Sequence, residues 1–199
     1  MPATMLTASR AVTGKSQNSR KTPLHRVRLS RIPRRQATLS WPPPHSESIE
    51  SLRARYNPAQ FAPIREYVTL CLEDEVSDGD AFATRLDTYW TAAGPFAVTL
   101  EFGAPQRDGD LVLLPVRGST ASFDELRALL LAPSVATDGV TTRTHRPHLK
   151  LVHPRNGRCS DEDFEAITRA ALPFSATFRG ASLIEQLDGG PWRDVATYD

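Results

Sequence analysis

The sequence predicts an α+β fold, in which helices pack against antiparallel sheets. Several segments alternate apolar and polar residues, as half-buried strands do, and others repeat apolar residues every three or four positions, as helices do. Turns that contain glycine, such as Asp108-Gly109, connect neighbouring strands, and a short turn of this kind makes the two strands antiparallel. Strand–helix–strand units occur in both halves of the chain, which suggests two pseudo-symmetric lobes.

The charge distribution divides the chain into two regions. Residues 1–46 contain nine Lys and Arg residues and no acid, whereas the remainder has 15 basic and 23 acidic residues, a net charge of −8. The first region is rich in Ser and Arg and poor in large apolar residues, so it cannot bury enough surface to fold. We therefore predict a basic, disordered leader over residues 1–36 and a folded domain over residues 37–199.

Three interpretations of the basic leader remain open. An acid-free start that is rich in Arg and Ser is typical of an organelle transit peptide. The same composition suits an arm that binds a polyanion. The third interpretation is a solvated tail without a role. No apolar segment follows the charges, so a secretory signal is excluded.

The remaining composition excludes two classes of protein. No apolar run approaches the roughly 20 residues that a transmembrane helix needs, so we expect no membrane association. The two cysteines, Cys71 and Cys159, form neither a disulfide framework nor a metal-binding pattern. We expect a monomer in the reducing cytoplasm, with organelle targeting left open by the leader, and we expect no cofactor and no metal.

The predicted elements of the first half alternate between strand and helix. A short strand runs from Ala37 to Trp41 and is stopped by the prolines at 42–44. The helix after it ends at Asn57-Pro58 and presents Ile49, Leu52 and Tyr56 on one face. Residues 66–73, EYVTLCLE, form the next strand. Ser77 then opens a second helix, and its apolar stripe consists of Phe82, Leu86, Tyr89 and Trp90.

The middle of the chain is predicted to contain a pair of strands and a helix. Residues 96–102 alternate cleanly, and residues 110–118 are more continuously apolar, as a central strand would be. Ser122 and Glu125 form a capping box for a helix that stops at Pro133. Its predicted apolar face consists of Leu126, Leu129 and Leu130.

The last part of the chain is predicted to hold three strands and one helix. Residues 144–153 supply a strand, and Ser160 caps a helix that ends at Pro173. Two final strands, residues 174–186 and residues 191–198, are joined through Asp188-Gly189-Gly190.

Two of these strands carry polar pairs. Residues two apart in a strand share a face, so Tyr67 and Thr69 point together, and so do His148 and Lys150. Residues 139–160 also contain no acid. The cationic and imidazole side chains of this span are Arg143, His145, Arg146, His148, Lys150, His153, Arg155 and Arg158. Such a region fits a phosphate-bearing ligand, and it equally fits a solvated edge that prevents strand aggregation.

The two polar strands resemble a known pattern. YVTL, residues 67–70, and PHLKL, residues 147–151, are similar to the paired His-x-Thr/Ser-hydrophobic motifs of the 2H phosphoesterase superfamily, which includes 2′-5′ RNA ligase-like proteins and cyclic phosphodiesterases. The resemblance covers about residues 37–199 and includes the closing SLIEQLDGGPW. It implies two lobes around a central cleft, with one motif strand from each lobe facing it.

Each motif departs from the family pattern at one position. Tyr67 stands where the first histidine would be, and Lys150 stands where the second threonine would be, whereas Thr69 and His148 match. The resemblance implies metal-free acid–base chemistry on a phosphodiester, with hydroxyls that hold the phosphate. Tyrosine has a pKa of about 10, so we expect His148 to be the base and Tyr67 the acid or a phosphate donor.

The phosphate is expected to contact further cations. We predict Thr69 and Lys150 as the inner phosphate ligands, and Arg143 and Arg146 as contacts for the outer phosphates of a nucleotide.

Three functions follow from these observations. The first is a phosphodiesterase that acts on cyclic or 2′-5′ phosphodiesters of nucleotides or RNA ends, with altered or weakened catalysis. The second is a noncatalytic module that binds the phosphate of a small nucleotide or an RNA end. The third is a relic whose cleft has no function. Because a missing acid or base lowers rates by about 10²–10⁴-fold, a slow enzyme and a binder both fit the altered motifs.

Overall fold

The computed structural model of the protein describes residues 33–40, 46–61, 67–76, 78–131, 144–155 and 157–198. In these ranges the strands are β1 (Arg34–Ser40), β2 (Tyr67–Cys71), β3 (Val98–Phe102), β4 (Gln106–Asp108), β5 (Leu111–Arg117), β6 (His148–Val152), β7 (Phe174–Phe178), β8 (Gly180–Gln186) and β9 (Trp192–Tyr198). The helices are α1 (Ser46–Tyr56), α2 (Pro58–Phe61), α3 (Gly79–Ala93), α4 (Ala121–Leu131) and α5 (Asp161–Ala170).

The strands of the described residues form one sheet in the order β7-β3-β5-β6-β2-β1-β8-β9, with β4 paired to β5. Every pairing is antiparallel. The predicted α+β class is therefore confirmed. Four strands of the main path lie on each side of the junction between β6 and β2, so the two motif strands meet at the middle of the sheet.

The alternation of apolar residues correctly predicted which side chains are buried in β3. Val98, Leu100 and Phe102 are buried, whereas Thr99 and Glu101 between them are exposed. The predicted central position of β5 is also confirmed, because it pairs with three strands, β3, β4 and β6. A central strand is covered on both faces and tolerates a nearly continuous apolar sequence.

The helices bury most of the residues that their spacing predicted, although Tyr89 and Trp90 of α3 are only partly buried. Ile49, Leu52 and Tyr56 of α1 are buried. In α4, Leu126 and Leu130 are buried but Leu129 is 46% exposed, so the predicted apolar face was too wide.

Two predicted helix starts differ in the structure. The side chain of Asp78 accepts from the backbone N–H of Ala81 and caps α3, and Ser77 lies outside the described residues. Helix α4 already begins at Ala121, so Ser122 lies within its first turn and the predicted capping box with Glu125 is wrong. Thr120 precedes the helix and its backbone oxygen accepts from Asp124 N–H. The predicted N-cap of α5 at Ser160 is confirmed, and Ser160 also forms a capping box with Asp163.

The strand predicted over residues 174–186 is two strands. β7 pairs with β3 at one end of the sheet, whereas β8 pairs with β1 and β9 at the other end. The break at Arg179 lets the chain cross between the two halves. The β8–β9 hairpin turns through Asp188 and Gly189, which both have positive φ, as the Asp-Gly-Gly signal predicted.

The first strand begins earlier than predicted. β1 starts at Arg34 rather than Ala37, because Arg34 and Arg35 pair in register with Gln186 and Glu185 of β8. The other residues of the predicted leader, 1–32, lie outside the described residues, as do Trp41, the prolines at 42–44 and Pro133. Among the described residues, no helix is both long and apolar enough to cross a membrane.

Candidate active site

The candidate site lies where β2 and β6 meet. These strands share one pair of residues in register, Val68 opposite Leu149, and both side chains are buried. The neighbouring positions alternate to the other face of the sheet. In antiparallel strands, that register sets Thr69 beside His148 on one side of the pair and Tyr67 beside Lys150 on the other. The two strands therefore present four polar side chains as one patch.

A small pocket forms over this patch. Its walls are Arg53 of α1, Gln60 of α2, Tyr67 and Thr69 of β2, and His148 and Lys150 of β6. The inner space is about 10 Å³, roughly what one water molecule needs, and the whole concavity with its open mouth measures about 290 Å³. A phosphate group must therefore bind at the mouth or displace side chains that narrow the pocket.

His148 is prepared to act as a base. Its Nδ1 lies 3.0 Å from the carbonyl oxygen of Arg146. Because a carbonyl oxygen only accepts, Nδ1 carries the proton in the neutral ring, and Nε2 keeps a free lone pair. Burial lowers the pKa of His148, the bond to the Arg146 carbonyl opposes this shift, and the charge of Lys150 adds to it. The imidazole is therefore neutral at neutral pH, as a general base must be.

Tyr67 remains a protonated phenol at neutral pH. Burial raises the pKa of its hydroxyl, the positive charge of Arg53 opposes that shift, and the negative charge of Glu73 adds to it. The hydroxyl forms no hydrogen bond within the described part of the chain. Tyr67 can therefore donate to a ligand, but it cannot serve as a base.

Lys150 and Thr69 are the other two donors that β2 and β6 supply. Burial lowers the pKa of the Lys150 ammonium and the charge of Glu73 opposes the shift. Glu73 itself is held by Arg34 and by Gln36 of β1. Within the described ranges Lys150 has no ion pair, and the Thr69 hydroxyl has no hydrogen bond although the residue is only 6% exposed. Unsatisfied donors in a buried site favour an anion as the ligand.

Arg143 and Arg146 are the two predicted contacts for outer phosphates. Arg146 is exposed and does not line the pocket, although its carbonyl oxygen orients His148. Its proposed contact with an outer phosphate stays a prediction. Arg143 lies outside the described residues.

Sequence reasoning missed Arg53 and Gln60. Arg53 is 3% exposed, donates to Glu50 Oε1 at 2.8 Å and reaches the backbone oxygen of Gln60 at 3.4 Å. Asn57 donates to the Gln60 side chain at 3.0 Å, so α2 is tied to the end of α1. The available signal was the position of Arg53 beside the buried face of α1, where a charged residue needs a specific partner.

His145 also has a larger role in the site than its sequence position suggested. Its Nε2 lies 3.0 Å from the backbone oxygen of Thr69, so the ring donates across to β2 from the segment that precedes β6. Its ring packs edge-on against His148, with 5.8 Å between the ring centroids. His145 thus links the backbone of Thr69 to the ring of His148.

A buried ion pair holds the other end of β2. Both carboxylate oxygens of Glu75 accept from Arg127 of α4, at 2.9 and 2.7 Å. The same guanidinium donates to the carbonyl oxygen of Leu70, and Glu75 accepts from the backbone N–H of Leu72. These bonds fix the β2 backbone immediately after Thr69.

Comparison with known proteins identifies the architecture. No protein-family model matches the sequence, and no curated protein matches it. A crystal structure of E. coli LigT complexed with 3′-AMP matches with a TM-score of 0.52 and 16% sequence identity, over 84% of this chain and 98% of LigT. Another, of LigT complexed with phosphate, matches with a TM-score of 0.51 and 15% identity, over 83% of this chain and 95% of LigT.

The chain has the LigT fold. The likeness spans nearly the whole length of LigT. The likeness to LigT is one of fold, and the resemblance to the 2H phosphoesterase superfamily rests on the residues of the two motif strands. At this level of identity the likeness establishes the fold, and the chemistry depends on this chain's own residues.

Proposed function

We propose that this protein is a phosphodiesterase that acts on cyclic or 2′-5′ phosphodiesters of nucleotides or RNA ends without a metal, and that its catalysis is weakened. The observation that carries the proposal is one pocket that combines a neutral imidazole with three donors free of partners among the described residues: Tyr67, Thr69 and Lys150. LigT, whose fold this chain shares, is complexed with phosphate and with 3′-AMP in its crystal structures, which supports a phosphate ligand here.

Each group in the pocket has one part in the proposed reaction. His148 Nε2 takes a proton from the attacking water, whose oxygen forms a bond to phosphorus. The bond from phosphorus to the leaving ribose oxygen breaks, and the Tyr67 hydroxyl gives its proton to that oxygen. Lys150 and Thr69 donate to the nonbridging oxygens and stabilise their charge in the transition state. Exchange with solvent then restores the neutral imidazole and phenol.

The proposal of weak catalysis follows from the pKa of Tyr67 and from the missing second imidazole. Burial raises the pKa of Tyr67 further above its ordinary value, so the phenol gives up its proton reluctantly. An efficient general acid has a pKa near the working pH. The missing second imidazole therefore lowers the rate by about 10²–10⁴-fold relative to a site with two histidines.

The proposal is tested by hydrolysis of 2′,3′-cyclic nucleotides in the presence of a chelator. We expect slow turnover that His148→Ala reduces by at least about 100-fold, because the base is removed. His153→Ala is the matched control, since it removes a histidine that does not line the pocket. Turnover that survives His148→Ala, or that the chelator abolishes, would contradict the proposed mechanism.

A noncatalytic phosphate-binding module is the second candidate, and the raised pKa of the Tyr67 hydroxyl favours it. The outcome that distinguishes the two is binding of 3′-AMP or the cyclic nucleotide without any hydrolysis. The remaining parts of the proposal are a monomeric state, a cytoplasmic location and outer phosphate contacts from Arg143 and Arg146. The free, buried thiols of Cys71 and Cys159 are compatible with a reducing compartment.

A further inference from the structure

The pocket has an unusual balance of charge. Its walls include two cations, Arg53 and Lys150, and none of its lining residues is a carboxylate. In the family pattern a hydroxyl would stand at the position of Lys150, so this chain has one more positive charge in the site. Arg53 comes from α1, outside both motifs, and adds a second.

The two cations are compensated to different degrees. Glu50 Oε1 lies 2.8 Å from Arg53 and offsets much of its charge. Lys150 forms no ion pair within the described ranges, and Glu73, which lies beyond the lining, is bonded to Arg34 instead. Because the pocket is largely buried, its charges are poorly screened by solvent. The Lys150 charge is therefore the main one left for a ligand to neutralise.

The pocket also has more hydrogen-bond donors than a phosphodiester has nonbridging oxygens. A phosphodiester has two nonbridging oxygens and one negative charge. A terminal phosphomonoester has three free oxygens and, above a second pKa of about 6, close to two negative charges. Lys150, Thr69 and Tyr67 all line the same small space. A third oxygen and a second charge would match these three donors and the Lys150 charge more closely than a diester does.

We propose that this pocket binds terminal phosphomonoesters, such as the 3′-phosphate of a nucleotide or RNA end, more tightly than phosphodiesters, and that Lys150 sets this preference. The inference rests on the proposed function, because it concerns the same site. For a phosphodiesterase, the monoester is the product of the reaction. Tight binding of that product would then limit turnover in addition to the missing second imidazole.

Two ligands that differ by one methyl group test the preference. 2′-Deoxyadenosine 3′-phosphate is a dianion at pH 7.5, and its 3′-(methyl phosphate) is a monoanion. Neither has the 2′-hydroxyl that forms a cyclic phosphate, so transesterification does not disturb the measurement. Calorimetry on the full chain should give at least about tenfold tighter binding of the monoester.

Variants at Lys150 show whether the preference for the monoester depends on charge or on the size of the methyl group. In Lys150→Thr, which restores the hydroxyl of the family pattern, the ratio of the two affinities should fall to within about threefold. If the preference were steric, the methyl group would still be rejected and the ratio would persist. Arg169→Gln is the matched control, since it removes an exposed cation from α5 and should leave the ratio unchanged. Lys150→Gln replaces Lys150→Thr if the latter does not fold.

The results separate this inference from the proposed function. Equal affinities in the unaltered protein, or an equal loss for both ligands in Lys150→Thr, would overturn the inference while leaving hydrolysis of cyclic nucleotides intact. A tenfold preference that depends on Lys150, in a protein that hydrolyses nothing, would support the inference and overturn the proposed enzyme. Binding of neither ligand would overturn the inference, and the hydrolysis assay alone would then decide the proposed enzyme.

Discussion

At the scale of single residues, the environment decides what each side chain of the site can do. The Arg146 carbonyl fixes the proton on Nδ1 of His148, and burial keeps the ring neutral. Burial also favours the neutral form of Tyr67, because it raises the pKa of the phenol. A phenol with a raised pKa would release its proton slowly as an acid. In the proposed reaction, the pocket therefore combines a neutral imidazole with a phenol whose pKa is poorly matched to the role of an acid.

The identity of residue 67 sets the rate in the proposed reaction. Tyr67→His supplies an imidazole whose ordinary pKa, about 6.5, lies near the working pH, so we expect hydrolysis of 2′,3′-cyclic nucleotides to rise by about 10²-fold or more. Tyr67→Phe is the control, because it removes the hydroxyl and keeps the ring. A histidine variant no faster than the phenylalanine variant would show that residue 67 does not transfer a proton.

The pH dependence of the reaction reports on His148. The base must be neutral, so activity falls as the pH drops through the pKa of His148, which lies below its ordinary value of 6.5. We expect the acid limb of the kcat/KM profile to have its midpoint below 6.5. Because the positive charge of Lys150 disfavours the imidazolium, Lys150→Thr should move that midpoint upward.

The midpoint can be checked without turnover. An NMR titration of the His148 ring protons, assigned by their absence in His148→Asn, should give the same pKa and the same upward shift in Lys150→Thr. A pKa at or above 6.5 in the unaltered protein would contradict the structure of the site.

At the scale of elements, two helices hold the motif strands in place. Helix α4 anchors β2 through Arg127, which bonds to Glu75 and to the Leu70 carbonyl. Helix α1 contacts β6 and supplies Arg53 to the pocket. Since β2 and β6 share only one pair in register, these helices and the His145 bond to Thr69 are what keep the two motifs side by side.

The buried ion pair gives a test of this arrangement. In Arg127→Met the fully buried carboxylate of Glu75 loses its guanidinium, so we expect the free energy of unfolding to fall by about 3–5 kcal/mol. Glu75→Gln added to Arg127→Met should recover part of that loss, because a neutral amide is cheaper to bury than a carboxylate. Urea unfolding measures both variants, and a double variant less stable than the single one would contradict this account.

At the scale of the whole molecule, β1 is the first described strand, and it connects distant parts of the chain. Arg35 donates to the nearly buried carboxylate of Glu185, which also accepts from Arg193 of β9. Arg34 bonds to Glu73, close to the pocket, and to Gln186. The start of the domain therefore stabilises both the far edge of the sheet and the surroundings of the site.

The domain boundary can be tested with two shortened chains. A chain that starts at Pro33 keeps these bonds, and we expect it to unfold at the same denaturant concentration as the full chain. A chain that starts at Ala37 loses them, and its free energy of unfolding should be lower by about 1–3 kcal/mol, most of it from the buried Glu185. Equal stability of the two shortened chains would place the boundary at 37.

The sequence by itself determined the class of the fold and most of the candidate site. Period-two alternation is a local property that also decides burial, so β3 and the shared faces of Tyr67 with Thr69 and of His148 with Lys150 were predictable. The break at Arg179 was missed, although the apolar positions shift there from Phe174, Ala176 and Phe178 to Ala181 and Leu183. Only the structure shows that the two parts pair with different strands.

Tertiary structure alone decided the rest. Arg53 and Gln60 join the pocket because α1 packs over β6 and α2 packs against α1, and His145 reaches Thr69 from 76 positions away along the chain. Side-chain parity follows from the backbone of one strand, but the register between two strands and the packing of a helix over them depend on the whole core. For that reason the residues of each motif could be predicted from the sequence, whereas the Arg53 charge beside them could not.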